Sequence, residues 1–516
     1  MKRIVMQLMW SIVIVAMAEV DAFAGTTAEI KTSTGMVEKM SIREDKRTDA
    51  GYNVSYRGKR IELQPCRISA MPYNEIWKGI QRPLDQTRDA FFVQIENNED
   101  SELMIDGFAP DERTRFSPMS ERSRFVCEKD RIKIRIDGVG QYVIDFGENA
   151  PPLHIFVEEP FVYHHVPGEL YFGPGEHDVG VIAPTNGQTV CFDRGAVVYG
   201  SLFLDRVTNV TVVGRGVLDC SRFERADPRA QEFRKSRGLP PIDTEFACHA
   251  CVVYASSKVK FKDFVIRDTP FWALIVRSGS EDVDIDGIKI IGQWRYNSDG
   301  IDISASSNVK VRNCFLRTFD DCMVVLGAYL DTRSFTAENI VFKNNTCWCD
   351  WGASFKLWSQ PYTNTFRNIV VRDCRFLSTF DYAIQVKDSC GSADTEICDL
   401  KFENIEIDYP VYPTRTVLSD RVRPYPGYAP VKKICPVYVS CEKPKRDFGN
   451  QDFRVVENPT GYHSHIHDIV FRDFHCYGEV PELEPRFFTA LKEGQTIERV
   501  SFENCPDFKT AKGAWK

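Results

Sequence analysis

Three aspartates in one stretch of the chain have the residue type and spacing for acid–base chemistry. Asp299 lies in the segment Asn297-Ser298-Asp299-Gly300, and Asp320 and Asp321 form a pair that runs into apolar residues 322–325. A carboxylate inside an apolar run is costly unless its charge serves a purpose. Crowded carboxylates also raise the pKa of at least one member, which suits a proton donor near neutral pH. A turn followed by a strand end would explain the same aspartates without any chemistry.

The aspartates lie inside a self-similar pattern that begins near residue 210. An apolar residue is followed by another apolar residue two positions later and by Asn, Asp or Gly four positions later, mostly every 24 to 31 residues. Such alternation makes a strand with one buried face, and Asn, Asp and Gly permit a left-handed bend. Repeated strands and bends stack as coils of a parallel β-helix. The units begin at Val210, Val259, Val283, Val309, Ile340, Ile369, Leu400, Ile469 and Val500. Four of the bend residues, Asn313, Asn344, Asp373 and Asn404, are therefore expected to form one column.

A second strand in each unit is expected to position the aspartates. Successive units place it at residues 272–276, 300–304, 322–326, 353–357 and 383–387. Asp299 and Asp321 lead into consecutive strands, so they are expected side by side, since neighbouring strands lie about 4.8 Å apart. If Ile301 and Ile303 point inward, alternation turns the polar residues of these strands outward. The resulting wall, which suits an extended polymer, would carry Asp302, Lys356, Gln385 and Lys387.

The sequence divides the whole chain into three predicted parts. Residues 1–24 combine a positive start, an apolar stretch and Ala22-Phe23-Ala24, which is typical of a signal peptide cleaved near Ala24 and predicts a secreted or periplasmic protein. Residues 25–155 carry short alternating runs and are predicted to form a small β-sandwich. Residues 156–516 are assigned to the β-helix, with an insertion at 409–463 that lies on the binding face or contacts another subunit. No later segment has the length of a transmembrane helix.

Composition and lone motifs restrict the partners and cofactors. The net charge of −8 disfavours nucleic acid, and an odd count of 17 Cys leaves at least one thiol without a partner in the chain. Cys314, Cys374 and Cys505 follow the bends and are expected to be stacked interior thiols. Two segments have metal-ligand residue types: Cys248-His249-Ala250-Cys251, which lacks a second Cys pair, and the alternating His463, His465 and His467, interpreted as a polar loop edge. We therefore predict no metal and no organic cofactor.

The motifs and the repeat together resemble a known family. Asn-Ser-Asp-Gly-Ile-Asp at 297–302, followed by Asp-Asp-Cys at 320–322, is similar to the motifs of polygalacturonases, glycoside hydrolase family 28. The resemblance covers about residues 160–508 and implies a pectin-lyase-like fold. A sandwich ahead of a β-helix is similar to glycoside hydrolase family 49, the dextranases and isopullulanases. The expected fold is all-β, a right-handed parallel β-helix preceded by a small β-sandwich.

The resemblance also implies an activity and roles for residues. It implies an inverting glycoside hydrolase that acts on a polysaccharide or oligosaccharide. Asp320 would protonate the leaving oxygen, while Asp299 and Asp321 would position and deprotonate a water. The candidates for substrate binding are Asp302, Lys356, Gln385, Lys387, Trp294, Arg295 and Trp351, with Trp358 as a further stacking surface.

Two departures from the family motifs bear on the substrate. Asp350-Trp351-Gly352 stands where the family has Gly-His-Gly, and Gln385-Val386-Lys387 stands where it has Arg-Ile-Lys. Because the lost Arg would hold a substrate carboxylate, we expect a neutral or only partly uronic glycan. The alternatives are a dextranase-like α-glucan hydrolase, a polysaccharide lyase that uses calcium with Lys356 and Lys387, and a non-catalytic glycan-binding β-helix. The sequence leaves the sugar, the linkage, endo or exo action, and the oligomeric state open.

Overall fold

The computed structural model describes residues 49–69, 87–147, 149–239, 248–327, 336–359, 365–379, 382–388, 394–409, 435–441, 463–478, 485–489 and 494–508. The predicted signal peptide at 1–24 and most of the predicted insertion at 409–463 lie outside these residues. Within the described part of the chain, no helix is long and apolar enough to cross a membrane.

The first part of the described chain is a sandwich of two five-stranded sheets. Its core is apolar and is shared by both sheets. Strand β8 shows how the sequence produces this core, because Ile132, Ile134 and Ile136 are fully buried while the basic residues between them face outward. One sheet has the order β2-β1-β5-β8-β7 and the other β3-β4-β10-β9-β6, with strands β1 Asn53–Tyr56, β2 Lys59–Ile61, β3 Gln64–Ser69, β4 Thr87–Glu96, β5 Ser101–Asp106, β6 Arg115–Ser117, β7 Phe125–Glu128, β8 Arg131–Ile136, β9 Gly140–Asp145 and β10 Leu153–Glu158. A 3₁₀ helix, Met119–Arg124, precedes β7.

The remaining strands form one 26-stranded parallel sheet that winds into coils. Each strand pairs in parallel with the equivalent strand of the next coil, and the apolar residues that point inward make one continuous core. This arrangement confirms the predicted all-β fold with a right-handed parallel β-helix after a sandwich. The strands are β11 Leu170–Phe172, β12 Gly175–Ile182, β13 Thr189–Phe192, β14 Ala196–Asp205, β15 Thr211–Gly214, β16 Val217–Asp219, β17 Cys251–Tyr254, β18 Ser257–Lys262, β19 Val265–Arg267, β20 Leu274–Arg277, β21 Glu281–Asp286, β22 Lys289–Ile291, β23 Ile301–Ser304, β24 Ser307–Arg312, β25 Phe315–Thr318, β26 Met323–Leu326, β27 Thr336–Lys343, β28 Thr346–Cys349, β29 Phe355–Trp358, β30 Thr365–Ser378, β31 Tyr382–Asp388, β32 Asp394–Tyr409, β33 Cys435–Cys441, β34 His463–Gly478, β35 Arg486–Thr489 and β36 Gln495–Glu503. A short helix, α1 Pro228–Ser236, lies between β16 and β17 and is capped by the Asp227 carboxylate.

The predicted column of bend residues is present. Asn313, Asn344, Asp373 and Asn404 all have left-handed backbone, with φ between 53° and 56°. Their side chains form a hydrogen-bonded ladder, in which the Asn344 amide donates to Asn313 at 2.8 Å and the Asn404 amide donates to Asp373 at 2.9 Å. A second ladder, which the sequence pattern did not predict, joins Asn308, Asn339 and Asn368.

The cysteines occupy the core, but not as the expected stack. Cys314 and Cys374 are buried and free of disulfide bonds, and Cys505 is partly buried and also free. Cys314 and Cys374 are not adjacent in this column, because Asn345 occupies the same position on the coil between them and accepts a hydrogen bond from the Cys314 amide. Cys248 and Cys251 are both buried and belong to two different apolar clusters.

One strand lies inside the segment predicted as an insertion. Strand β33, Cys435–Cys441, pairs in parallel with β31 on one side and β35 on the other. Val437 and Val439 are fully buried in the helix core. The β-helix therefore continues through this segment, and the proposed domain limits of 25–155 and 156–516 remain predictions.

The sandwich packs against the outside of the β-helix. Phe92 and Phe156 of the sandwich share an apolar cluster with Phe315 and Trp348 of the helix. Beside this cluster the buried Arg317 guanidinium donates to Nε2 of His154 at 2.8 Å. Burial, reinforced by the Arg317 charge, keeps the pKa of His154 well below its usual value, so the neutral ring accepts this bond.

The Asn ladder predicts a specific order of stability among variants. Asn344→Ala should lower the free energy of unfolding by about 1–3 kcal/mol. Ala is disfavoured in the left-handed backbone conformation, and it has no side-chain amide to donate to Asn313. Asn344→Gly should cost less, since Gly adopts positive φ freely and loses only the ladder bond. Urea unfolding followed by circular dichroism measures both, and a Gly variant less stable than the Ala variant would contradict the role of the left-handed backbone at Asn344.

Candidate active site

The coil register brings the three aspartates together. Asp299 directly precedes Gly300 and β23, and Asp321 directly precedes Cys322 and β26, two strands that pair in register. The Gly300 amide donates to the Asp321 carbonyl at 2.9 Å, which fixes the two turns side by side. One carboxyl oxygen from each of Asp299, Asp320 and Asp321 lies within 4.8 Å of the other two. The three side chains therefore form one cluster, which we call the aspartate triad.

Burial and mutual repulsion perturb the triad. The three residues are between 4% and 7% exposed. Burial, and then the charge of Asp320, raise the pKa of Asp299 well above its usual value. Burial and the Asp321 charge raise the pKa of Asp320 to about 7, although Lys356 and hydrogen bonds from the Asp321 amide and Asn297 oppose the rise. A carboxyl with this pKa can hold a proton near neutral pH and release it.

The ammonium group of Lys356 neutralises the triad in part. Lys356 on β29 places Nζ 2.7 Å from Oδ2 of Asp321. The other Asp321 oxygen accepts a bond from the Ala353 amide at 2.7 Å. Burial lowers the pKa of Lys356, but the charges of Asp321, Asp320 and Asp299 together raise it above its usual value. Lys356 therefore stays charged, and Asp321 is the member of the triad with which its ammonium forms an ion pair.

The turn at 350–352 closes one side of the triad. A Cβ atom at Gly352 would lie 2.5 Å from Oδ1 of Asp321 and 2.7 Å from Oδ1 of Asp320, so no side chain fits there. The neighbouring Trp351 is partly exposed and stacks on Phe319 at 5.4 Å between ring centroids. Phe319 directly precedes Asp320. Trp351 thus offers an aromatic surface beside the triad, in the position where the sequence predicted substrate contact.

Two residues that the sequence analysis did not select orient Asp320. Asn297 has φ of 55° and donates from Nδ2 to Oδ2 of Asp320 at 3.2 Å. Arg225 donates to Oδ1 of Asn297 at 2.9 Å, which fixes which end of the amide faces the acid. The guanidinium lies over the rings of Phe271 and Tyr296. Asn297 belongs to the motif at residues 297–302, so the sequence could have pointed to it. Arg225 lies in a loop outside the coil repeat, and no pattern in the sequence indicated its contact with Asn297.

Two predicted substrate contacts are corrected by the structure. Trp294 is fully buried, and its Nε1 donates to Asp268 at 3.0 Å, so its ring has no face open to a sugar. Arg295 is 3% exposed and donates to the carbonyl oxygens of Phe223 and Ser221. Both residues hold the chain beneath the triad instead of facing a substrate.

Asp302 points away from the helix core but is covered. It is fully buried, and neither carboxyl oxygen has a hydrogen-bond partner among the described residues. Burial, and then the Asp321 charge, raise its pKa well above the usual value, which favours the protonated form. Asp302, predicted as a substrate contact, therefore lies near Asp321 and Asp320 but does not reach the surface, which corrects that prediction.

The rest of the predicted wall lies on β29 and β31. Lys356 pairs with Gln385 in register, and Trp358 pairs with Lys387. The Trp358 ring has both ammonium groups near it, at 5.3 Å for Lys356 and 5.7 Å for Lys387. All four side chains are partly exposed, so this wall extends from the triad along consecutive coils.

Comparison with known proteins bears on these features. Residues 192–415 match the family model of glycosyl hydrolases family 28. A dextranase from Arthrobacter globiformis is 22% identical over 295 residues, which is 51% of this chain and 45% of the dextranase. Endopolygalacturonase A from Aspergillus niger is 27% identical over 154 residues, which is 29% of this chain and 38% of that enzyme. The chain thus spans less than half the length of these curated relatives.

A solved structure shares the fold over most of the chain. Dex49A from Penicillium minioluteum superposes with a TM-score of 0.53 at 11% identity, covering 90% of this chain and 94% of that one. At this identity the likeness shows the fold, which includes the residues before the β-helix. Residues 192–415 of this chain are thus similar to glycosyl hydrolases family 28, and the chain as a whole shares the fold of Dex49A.

Proposed function

We propose that this protein is a glycoside hydrolase that cleaves O-glycosyl bonds in a polysaccharide or oligosaccharide. The observation that carries the proposal is the aspartate triad, in which three buried carboxyl groups meet beside one ammonium. A structural role for the aspartates would pair each charge, because an unpaired buried carboxylate destabilises a fold. The family match over residues 192–415 supports the same chemistry.

Asp320 is the proposed general acid. Its pKa of about 7 leaves a proton available for the leaving oxygen, and the amide of Asn297 fixes its orientation. Asp299 and Asp321 are proposed to hold one shared water between them, and Asp321, the member paired with Lys356, is the proposed base that takes its proton. The water attacks the anomeric carbon, the glycosidic bond breaks, Asp320 supplies a proton to the departing oxygen, and the base takes a proton from the water.

We further propose that the reaction inverts the anomeric configuration. Inverting enzymes usually separate the acid and base by roughly 6.5–9.5 Å, and retaining enzymes by about 5–5.5 Å. One oxygen from each member of the triad lies within 4.8 Å of the other two, which is short for either class. That distance suits two carboxylates that share one water, since two hydrogen bonds of about 2.7–2.8 Å can span it. Inversion follows if Asp299 and Asp321 act together on that water while Asp320 faces the leaving group.

A neutral or only partly uronic glycan is the proposed substrate. Lys356, the cation nearest the triad, already binds Asp321, and Gln385 offers an amide where an Arg would hold a carboxylate. The dextranase relative matches more of this chain than the endopolygalacturonase does, at 51% against 29%. A dextranase-like α-glucan hydrolase is therefore the first variant of the proposal to test. Secretion through the signal at residues 1–24 belongs to the same proposal.

A lyase on this fold is the weaker alternative. The triad has the oxygen ligands that a calcium ion prefers, and its atoms are close enough to share one ion. A lyase also needs a neutral base beside the uronate. Lys356 does not suit that role, since the three carboxyl groups raise its pKa.

Replacement of the acid gives the most direct mutational test. Asp320→Asn should lower kcat on a natural glycan by about 10²–10⁴-fold, because the amide keeps the shape but has no proton to give. Aryl glycosides with leaving groups that need no protonation should lose much less. Reducing-end release measures the first rate and aryl release the second.

A matched variant tests whether the loss of a carboxyl group elsewhere in the chain also lowers kcat. Asp284→Asn removes a carboxyl group on β21 that pairs with Arg312, away from the triad, so it should leave kcat unchanged. An Asp320→Asn protein that folds normally and cleaves the natural glycan at the wild-type rate would exclude Asp320 as the acid.

The pH profile should report the Asp320 proton. The acid works only when protonated, so kcat/KM should fall as pH rises through about 7. Lys356→Met should move this alkaline limb to higher pH, because the lost ammonium no longer favours ionised Asp320. Lys387→Met can change KM but should leave the limb in place. A limb that stays fixed, or moves to lower pH, in Lys356→Met would contradict the assignment.

A further inference from the structure

Two histidines and two glutamates meet on the outer face of three successive coils. His465 and His467 lie on β34, two positions apart, so both rings point outward with centroids 4.1 Å apart. Glu396 on β32 pairs with His465 in register, and Glu498 on β36 pairs with His467. The cluster therefore takes one carboxyl group from the coil on each side of the histidine strand.

The ligand atoms of this cluster converge. Nε2 of His467 is 3.3 Å from Oε1 of Glu396, and Nε2 of His465 is 3.7 Å from Oε1 of Glu498. One donor atom each from Glu396, His465 and His467 lies within 4.8 Å of the other two. Two imidazoles and a carboxylate are a ligand set that zinc prefers, whereas calcium and magnesium prefer oxygen alone.

A neighbouring carboxylate orients the better-buried ring. Oδ2 of Asp468 is 2.7 Å from Nδ1 of His467, so the ring is held at that nitrogen while Nε2 points at Glu396. Arg499 lies 2.8 Å from the same nitrogen and binds Asp468 through Nε at 2.6 Å, so the two charges offset each other. Metal-binding histidines are typically held by a carboxylate in this way.

We propose that Glu396, His465 and His467 bind one Zn²⁺ or a similar divalent transition-metal ion, with Glu498 in reach as a fourth ligand. Zinc–nitrogen bonds of about 2.0–2.1 Å require the side chains to draw together. The exposed side chains of His465 and Glu396, at 46% and 50%, are free to do so. An open groove of about 650 Å³ beside them admits water to any remaining coordination position.

The ion would connect β32, β34 and β36. Each coil of a β-helix is stabilised only by its neighbours, so a ligand set drawn from three coils strengthens two contacts at once. An ion that binds only the folded chain raises the free energy of unfolding, and the rise grows with the ratio of ion concentration to dissociation constant. This role is separate from the aspartate triad and does not depend on the proposed hydrolase activity.

Zinc titration of the full chain by calorimetry, after chelator stripping, tests the site. We expect one tight Zn²⁺ site in the wild type, and at least about 10–100-fold weaker binding in His465→Ala and in His467→Ala. His475→Ala removes an exposed imidazole from the same strand and should bind like the wild type. All variants keep the aspartate triad, so a difference between them reports on the histidine cluster.

Two further measurements keep the test decisive. The wild type should unfold at a higher temperature with Zn²⁺, whereas Glu396→Gln, a change at an exposed side chain, should gain much less. Bound Co²⁺ should show the strong visible absorption of a four-coordinate ion with nitrogen ligands in the wild type, and not in His465→Ala. A wild type that binds no stoichiometric Zn²⁺, or histidine variants that bind it as tightly, would overturn the proposal.

Discussion

The ion pair between Lys356 and Asp321 is the interaction on which the rest of the site depends. Four buried carboxyl groups, those of Asp299, Asp302, Asp320 and Asp321, lie near the ammonium of Lys356. One positive charge in a poorly hydrated place offsets only about one negative charge. The others are therefore driven toward their protonated forms, which is the state that a general acid requires. Among the described residues, the excess of buried carboxyl groups over ammonium groups at this site thus favours a proton donor.

The sandwich supports the turns that carry the triad. Arg317 is the last residue but one of β25, two positions before Phe319, and its guanidinium donates a hydrogen bond to His154 of the sandwich. The same guanidinium lies 3.7 Å from Asp350, which directly precedes Trp351 and Gly352. Because Arg317 is completely buried, this contact joins both turns to the sandwich without access to water. The domain in front of the helix thus helps to position the triad.

The sequence predicted those features that follow from the coil repeat. The bend column and the meeting of Asp299 with Asp321 depend only on strand register, which the alternating apolar residues specify. Trp294 and Arg295 were misinterpreted because burial beneath the 221–223 loop is a tertiary effect that a local pattern does not contain. The role of Arg225 was missed for the same reason, since it reaches Asn297 from 72 residues away. Strand β33 was missed because the residues around it break the repeat.

The stereochemistry of the product tests the central claim most directly. Proton NMR can follow the anomer that appears first when the enzyme cleaves a glycan of known linkage, before mutarotation mixes the forms. If Asp299 and Asp321 activate one water while Asp320 protonates the leaving oxygen, the first product has the inverted configuration. A first product with the retained configuration would mean that one aspartate attacks the sugar as a nucleophile, and the assignment of a shared water would be wrong.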